Sequence, residues 1–297
     1  MRQVACLGEV MMELRPGEVQ SGFSLGFAGD SFNTAVMLAR QGIDTAYLTR
    51  LGSDPFSRQI VQAAKNEGLN TQGMATSGES LPGLYLIQND DAGERQFFYW
   101  RDSSPARQMF VSLESSAVAI ALACEAQWLY LSGITAAVMG QYAEASFLKA
   151  IQAVKAAGVK IAFDPNYRPQ LWASTHEAQR WHAMMLALSD MVLPTLVDEQ
   201  LLWGASNPQD VIERCIQSGA THVVVKCPDA LAVAWYEGNS AELRSHYVGP
   251  VLDTTGAGDA FNAGYLAAYM ANKTLPESLE NAHTVASSVL AVRGALP

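Results

Sequence analysis

Around residue 256 the chain runs Asp253-Thr254-Thr255-Gly256-Ala257-Gly258-Asp259-Ala260-Phe261-Asn262-Ala263-Gly264. These residue types suit the handling of an anion. Two glycines flanking an alanine let backbone approach a ligand closely. The helical pattern that follows, through about Asn272, would open with unpaired N–H groups and the positive end of its dipole. Asp259 then falls in the first turn, beside the anion. A carboxylate there can take a proton from an attacking hydroxyl while the amides stabilise charge on a transferring phosphoryl group. The same residues alone also fit a plain turn followed by a helix cap. Neither a GxxxxGK run followed by Ser or Thr nor a GxGxxG fingerprint occurs, so P-loop and dinucleotide-binding chemistry are not indicated.

Three further stretches carry recognition chemistry. Gly83-Leu84-Tyr85 opens one strand-like run, and Gly93-Glu94-Arg95-Gln96-Phe97-Phe98-Tyr99-Trp100-Arg101 forms a second. Phe163-Asp164-Pro165-Asn166-Tyr167-Arg168-Pro169-Gln170-Leu171-Trp172 follows a core strand. Ligands bind at strand carboxyl ends in open α/β sheets, which favours Arg168. A guanidinium offers a planar fork to a carboxylate, and tyrosine adds directed hydroxyl contacts. Taken singly, each arginine also fits a surface ion pair.

The elements that must hold these residues can be read from periodicity. Val4–Gly8, Thr45–Leu51, Trp128–Leu131, Lys160–Asp164, Met191–Leu193 and His222–Lys226 are short apolar runs typical of buried strands. They alternate with helical patterns such as Pro55–Glu67, stopped by Gly68, and Tyr142–Ala157. Asp30 is placed to cap a helix whose Phe32, Ala35, Val36 and Ala39 share a face and which Gly42 ends. Alternation of this kind predicts a mostly parallel sheet with helices on both faces. Two segments break the rhythm. Residues 13–27 are strand-like, and the runs near 83–101 are joined by Asn89-Asp90-Asp91-Ala92-Gly93-Glu94, a hairpin signal. They read as a small β-sheet lid, or else as an extended edge on the main sheet.

Bulk properties limit the function classes. The 297 residues are 49% hydrophobic and 16% charged, which suits a large packed core. The net charge of −10 without a basic block argues against a nucleic-acid partner. A small anionic substrate would need arginine or lysine placed locally. No apolar run is long enough for a membrane span, and the amino terminus has no signal-peptide pattern. Cys6, Cys124, Cys215 and Cys227 lack CxxC spacing, so reduced thiols in a cytoplasmic protein are expected. His176, His182, His222, His246 and His283 make no HExxH pattern, and no direct metal ligation by side chains is expected.

The whole run resembles the PfkB signature DTxGAGDxF of ribokinase-like sugar kinases. Gly29-Asp30-Ser31-Phe32-Asn33-Thr34-Ala35 occupies the place of that family's GGxxxNxA segment, with Asp30 read as replacing the second glycine. Leu51-Gly52-Ser53-Asp54-Pro55-Phe56 is similar to its LGxDxFG segment, and the likeness runs to Gly294. The resemblance implies one three-layer α/β/α domain over 1–297 with a β lid. It also implies that ATP and Mg2+ are used, that Asp259 is the catalytic base, and that Gly256, Ala257 and Gly258 form the anion hole. Lys226, Gly256, Gly258 and Asn281 would then face the nucleotide. Gly29, Asp30 and Asn33 would face the sugar, with Asp253 either hydrogen bonding near it or forming a turn.

GER-x-F-x-YWR, FDPNYRPxLW and LYLSGI at Leu129–Ile134 look like the 2-dehydro-3-deoxygluconokinase branch of the family. That implies sugar contacts from Tyr85, Tyr99, Arg101 and Arg168, the arginines holding a carboxylate, with Arg107 as a further candidate. The implied reaction transfers phosphate from ATP to 2-dehydro-3-deoxy-D-gluconate, giving the 6-phosphate. A neutral-sugar kinase of the fructokinase or ribokinase kind, or a non-catalytic sugar-acid sensor, are the rival readings. Two segments depart from the pattern. Val223-Val224-Val225-Lys226-Cys227-Pro228-Asp229-Ala230 lacks both glycines of VVVKxGxxG, and Pro228 cannot donate an N–H. Thr195 stands for the asparagine of an NxxE motif, leaving Asp198 or Glu199 to reach Mg2+ through water. A homo-oligomer is expected, because exposed sheet edges find partners.

Overall fold

A computed structural model describes residues 2–17, 22–76, 78–89, 95–141, 143–292 and 294–296. The strands are β1 (Arg2–Leu7), β2 (Met11–Pro16), β3 (Phe23–Ala28), β4 (Thr45–Leu51), β5 (Met74–Thr76), β6 (Leu84–Asn89), β7 (Arg95–Trp100), β8 (Ala126–Ser132), β9 (Lys160–Asp164), β10 (Met191–Val192), β11 (His222–Lys226), β12 (Leu231–Tyr236) and β13 (Asn239–Arg244). The helices are α1 (Asp30–Arg40), α2 (Pro55–Asn66), α3 (Leu113–Cys124), the single turn α4 (Gly133–Thr135), α5 (Glu144–Ala156), α6 (Thr175–Leu188), α7 (Leu196–Trp203), α8 (Pro208–Gln217), α9 (Ala257–Met270) and α10 (Leu275–Leu290).

Nine strands form the main sheet in the order β13-β12-β11-β10-β9-β8-β1-β4-β5. From β11 to β5 the pairings are parallel, and β12 and β13 add an antiparallel edge. Side chains alternate between the faces with period two. Val4 and Cys6 of β1, like Trp128 and Tyr130 of β8, join a core with α1, α2, α9 and α10. Ala5, Leu7, Leu129 and Leu131 join the core on the other face, with α3, α5, α6, α7 and α8. Both faces are dry, which is why these strands read as continuous apolar runs. The fold is the expected three-layer α/β/α arrangement. Among the main-sheet strands, the edge strand β5 and the β12–β13 hairpin were absent from the sequence reading. The hairpin's half-buried alternation carries a weaker signal than the central strands.

Local chemistry explains the ends of the elements. Asp54 caps α2 by accepting from the N–H groups of Phe56 and Ser57 at 2.8 and 3.0 Å, with Pro55 at the first helical position. Gly68 follows that helix with φ +79°, and Gly42 follows α1 with φ +81°. Asp30 does not cap α1, contrary to the expectation. Gly29 is the N-cap residue, and Asp30 is the first helical residue with its carboxylate turned elsewhere.

The second sheet has the order β3-β2-β6-β7 and is separate from the main one, so the extended-edge alternative is excluded. Residues 18–21 of the first lid segment and the 90–94 turn of the hairpin signal lie outside the described residues, as does Tyr142. Register sorts the side chains by face. Glu13, Tyr85 and Tyr99 are aligned on one side. On the other side Leu25, Leu14, Leu86 and Phe98 form one row, and Phe27, Met12, Leu84 and Trp100 a second. Ala295, near the carboxyl terminus, is buried with Met11, Ala28, Tyr85 and Ile87 of this sheet.

Candidate active site

The carboxyl ends of β1, β8, β9, β10 and β11 face the same way because these strands are parallel, and the second sheet stands over them. Between them lies a cleft of about 840 Å³. Gly29, Asp30, Asn33, Tyr85, Tyr99, Arg101, Arg168, Lys226, Gly256, Gly258 and Asp259 all line it. These are most of the residues singled out in the sequence, and they run from the start of α1 to the first turn of α9.

At one end α9 begins. Gly256 sits just before it with φ +77°, a conformation that favours glycine. A Cβ there would also stand 2.6 Å from the Ala295 carbonyl oxygen. A Cβ on Gly258 would meet nothing within 4 Å, so its side lies open to the cleft. Ala257 departs from its expected role: its N–H donates to the Thr254 carbonyl at 3.2 Å, and its methyl packs on the core. The amides of Gly256 and Gly258 remain for an anion.

Asp259 accepts from Asn33 Nδ2 at 2.8 Å, and Asn33 in turn is tied by its Oδ1 to the Gly29 N–H at 3.3 Å. Burial raises the Asp259 carboxyl well above the usual aspartate range, and the nearby Asp30 and Asp164 raise it further. The Asn33 bond and the Lys226 ammonium oppose the rise. Asp30 is also raised, first by burial, and accepts from Asn166 Nδ2 at 3.1 Å. Asn166 has φ +36°, held there by its N–H donating to Asp164 Oδ1 at 3.1 Å. Such strain is tolerated by asparagine and clusters at functional sites.

Lys226 Nζ donates to Asp164 Oδ2 at 3.0 Å and to Asn262 Oδ1 at 2.8 Å. Asn262 Nδ2 donates to the same Asp164 oxygen at 2.6 Å and to the Tyr130 hydroxyl at 3.0 Å. The lysine is thereby held at the cleft floor. Beyond it the loop keeps its turn without the glycines. Asp229 and Ala230 adopt φ +56° and +53°, and Cys227 N–H donates to the Leu231 carbonyl at 2.8 Å.

The other end of the cleft is cationic. Arg101 is buried and ion-paired to Glu9. Its guanidinium lies 5.8 Å from the Tyr99 ring centroid. Arg168 Nη1 donates to the Tyr167 carbonyl at 2.8 Å and to both Asp198 oxygens at 3.1 and 3.2 Å. Arg107 donates from Nε to the Arg101 carbonyl at 3.0 Å and lines an adjoining chamber of about 450 Å³ with Arg101 and Arg168. The Tyr85 hydroxyl donates to Glu13, so that tyrosine offers the cleft its ring.

Asp253 does not line the cleft. Its carboxylate accepts from the Thr255 N–H at 2.7 Å and the Gly294 N–H at 2.9 Å, the turn-forming alternative. Asn281 is likewise elsewhere, donating to the Gly264 carbonyl at 2.7 Å and the Gln41 side chain at 3.1 Å, two turns along α9 from the anion end. Asp198 and Glu199 point in different directions. Glu199 is buried against Arg214, whereas Asp198 holds Arg168 at the cleft wall.

The pattern of the pfkB family carbohydrate kinases matches residues 1–297. The chain belongs to that family. A relative from Escherichia coli named 2-dehydro-3-deoxygluconokinase is 38% identical over 99% of this chain and 97% of its own length. Another of the same name from Dickeya dadantii is 37% identical over 99% and 96%. A PfkB protein structure from Polaromonas superposes with a TM-score of 0.86 at 26% identity, covering 100% of this chain and 97% of its own.

Counting back from Asn33 in the family segment corrects one detail. Gly29 holds the second glycine position and Ala28 the first, while Asp30 follows them. The glycine is required because a Cβ on residue 29 would stand 2.2 Å from the Glu9 carbonyl oxygen. The sequence reading of this kinase missed Glu9, Glu13, Asp164 and Asn262. Glu9 had a signal, since it directly follows the first core strand. Asn262 had one too, sitting one helical turn beyond Asp259.

Proposed function

We propose that this carbohydrate kinase transfers the terminal phosphoryl group of ATP to 2-dehydro-3-deoxy-D-gluconate, forming the 6-phosphate. One observation carries the reading: a single cleft is lined both by Asp259 with the start of α9 and by Arg101 with Arg168. A six-carbon acid spanning it would hold its carboxylate on the guanidiniums and its terminal hydroxyl beside Asp259. The names of the relatives support the same substrate.

In this reading Asp259 accepts the proton of the carbon-6 hydroxyl as its oxygen forms a bond to the γ-phosphorus and the bond to the β-bridging oxygen breaks. The raised affinity of Asp259 for protons makes it a stronger base than an exposed aspartate. The Gly256 and Gly258 amides and the Lys226 ammonium stabilise charge on the phosphoryl oxygens. Among the described residues no group of three or more His, Cys, Asp or Glu side chains could hold a metal. Mg2+ would enter on the nucleotide phosphates and neutralise their charge, with Asp198 in reach through water.

The second sheet acts as a lid on one catalytic unit, excluding water so that the sugar hydroxyl accepts the phosphoryl group. Its outer face exposes Leu25, Phe98 and Trp100, with Trp100 at 59% exposure. An apolar sheet face of this kind suits a second copy of the chain, so we assign it a homo-oligomer contact. No described helix is long and apolar enough to cross a membrane, and all four cysteines are free thiols. A reducing cytoplasm, where ATP is available, fits both.

The test is a coupled ADP-release assay with Mg-ATP on 2-dehydro-3-deoxygluconate, its galactonate epimer, fructose and ribose. Turnover of keto-deoxy acids alone, lost in Asp259→Asn, is expected. Turnover of fructose or ribose would retain the kinase and discard the carboxylate clamp.

A further inference from the structure

The cleft contains an acidic group that proton transfer does not use. Glu9 follows β1, is 3% exposed and lines the cleft. Its Oε2 accepts from Arg101 Nη2. Among the described residues its Oε1 is buried and has no hydrogen-bond partner. A buried carboxylate oxygen without a donor is destabilising, and such atoms are uncommon in folded proteins. An incoming donor would satisfy it. Space is kept for one: a Cβ on Gly83 would stand 3.0 Å from Oε1 and 3.2 Å from Arg101 Cβ.

We propose that Glu9 is a specificity-determining residue whose Oε1 accepts from the first substrate hydroxyl inward of the carboxylate, and so selects between epimers at that carbon. The inference rests on the sugar-acid reading above. In the open chain of a 2-dehydro-3-deoxy acid, carbon 2 is a ketone and carbon 3 a methylene. The first O–H is therefore on carbon 4, the centre at which the gluconate and galactonate acids differ. Both Glu9 oxygens belong to one rigid carboxylate, and Oε2 is bound to Arg101 at the end assigned to the substrate carboxylate. Oε1 therefore lies within the width of one carboxylate group of that end, on a residue that lines the cleft. One epimer turns its hydroxyl toward Oε1; the other leaves a buried acceptor without a partner. A site built to pair a hydroxyl discriminates more steeply than an apolar pocket rejecting a methylene.

The experiment measures kcat/KM for both epimers, and KM for ATP, in wild type and in Glu9→Gln. The amide keeps the volume but presents a donor where an acceptor stood. Wild type is expected to favour one epimer by at least about tenfold. Glu9→Gln should bring the ratio near one and leave KM for ATP unchanged. Should that variant fail to fold, Gly83→Ala places a methyl 3.0 Å from Oε1 and should reduce the ratio in the same way. A wild-type ratio near one, or a ratio that survives substitution, overturns the role of Glu9. A wild type that turns over fructose and neither acid overturns the sugar-acid reading itself, and this inference with it.

Discussion

Asn33 and Asp259 lie 226 positions apart in the chain and meet at 2.8 Å, the amide Nδ2 donating to carboxylate Oδ2. The bond joins the first turn of α1 to the first turn of α9 and aims the proposed base. It also opposes the burial that raises the carboxyl.

Replacing Asp259 with Asn should lower kcat by about a hundredfold to ten-thousandfold, the range for losing a general base. It should not lower the melting temperature. The folded-state affinity of Asp259 for protons is raised, so its contribution to stability is present below the unfolded pKa and lost as pH rises through the folded one. At neutral pH the buried carboxylate is a net cost, which the neutral amide removes. Thermal melts at pH 7 and steady-state rates check both halves together.

The acid limb of kcat/KM should lie above the ordinary aspartate value of about 3.9, because the base must be ionised to act. Asn33→Leu removes a hydrogen bond that favours the ionised form, and so should move that limb to higher pH still. A limb that stays in place across a pH–rate series would reject Asp259 as the titrating group.

Arg168→Lys should raise KM for the sugar acid by about tenfold or more while KM for ATP stays within about twofold, since a point charge loses the guanidinium fork. The lysine can still pair with Asp198, so folding should persist. Initial rates with each substrate varied in turn separate the two constants.

Ala230→Gly should stabilise the protein by about 0.5–1 kcal/mol. Relief of a left-handed alanine, worth about 1–2 kcal/mol, is partly offset by the greater freedom of glycine in the unfolded chain. Denaturant titration measures the difference. A loss of stability would mean that the strain is relieved elsewhere in the loop.

Charging the outer lid face with Phe98→Asp should shift a self-associated protein toward the monomer, because one buried carboxylate per subunit would face an apolar partner surface. Sedimentation velocity reads the change. A mass that is the same before and after would remove this face from the contact.

Much of the molecule was legible in its residues. Six central strands announce themselves as short apolar runs because both their faces are buried, and that burial leaves no polar alternation. The small-residue turn before α9 and the carboxylate in its first turn are local chemistry, so spacing singles out Gly256, Gly258 and Asp259, and the family resemblance supplies their expected roles. Tertiary structure decided everything that depends on direction. The adjacent acids Asp198 and Glu199 part company only because helical geometry turns successive side chains about 100° apart, one toward Arg168 and the other into the protein against Arg214. Asp253 looked equally suited to a ligand or a turn until the Gly294 N–H arrived from 41 positions away to occupy it. Glu9 is an ordinary acid in the chain, and becomes a candidate for recognition only where folding binds one oxygen to Arg101 and leaves the other buried without a partner. Contacts between distant residues set that outcome, and no local pattern encodes them.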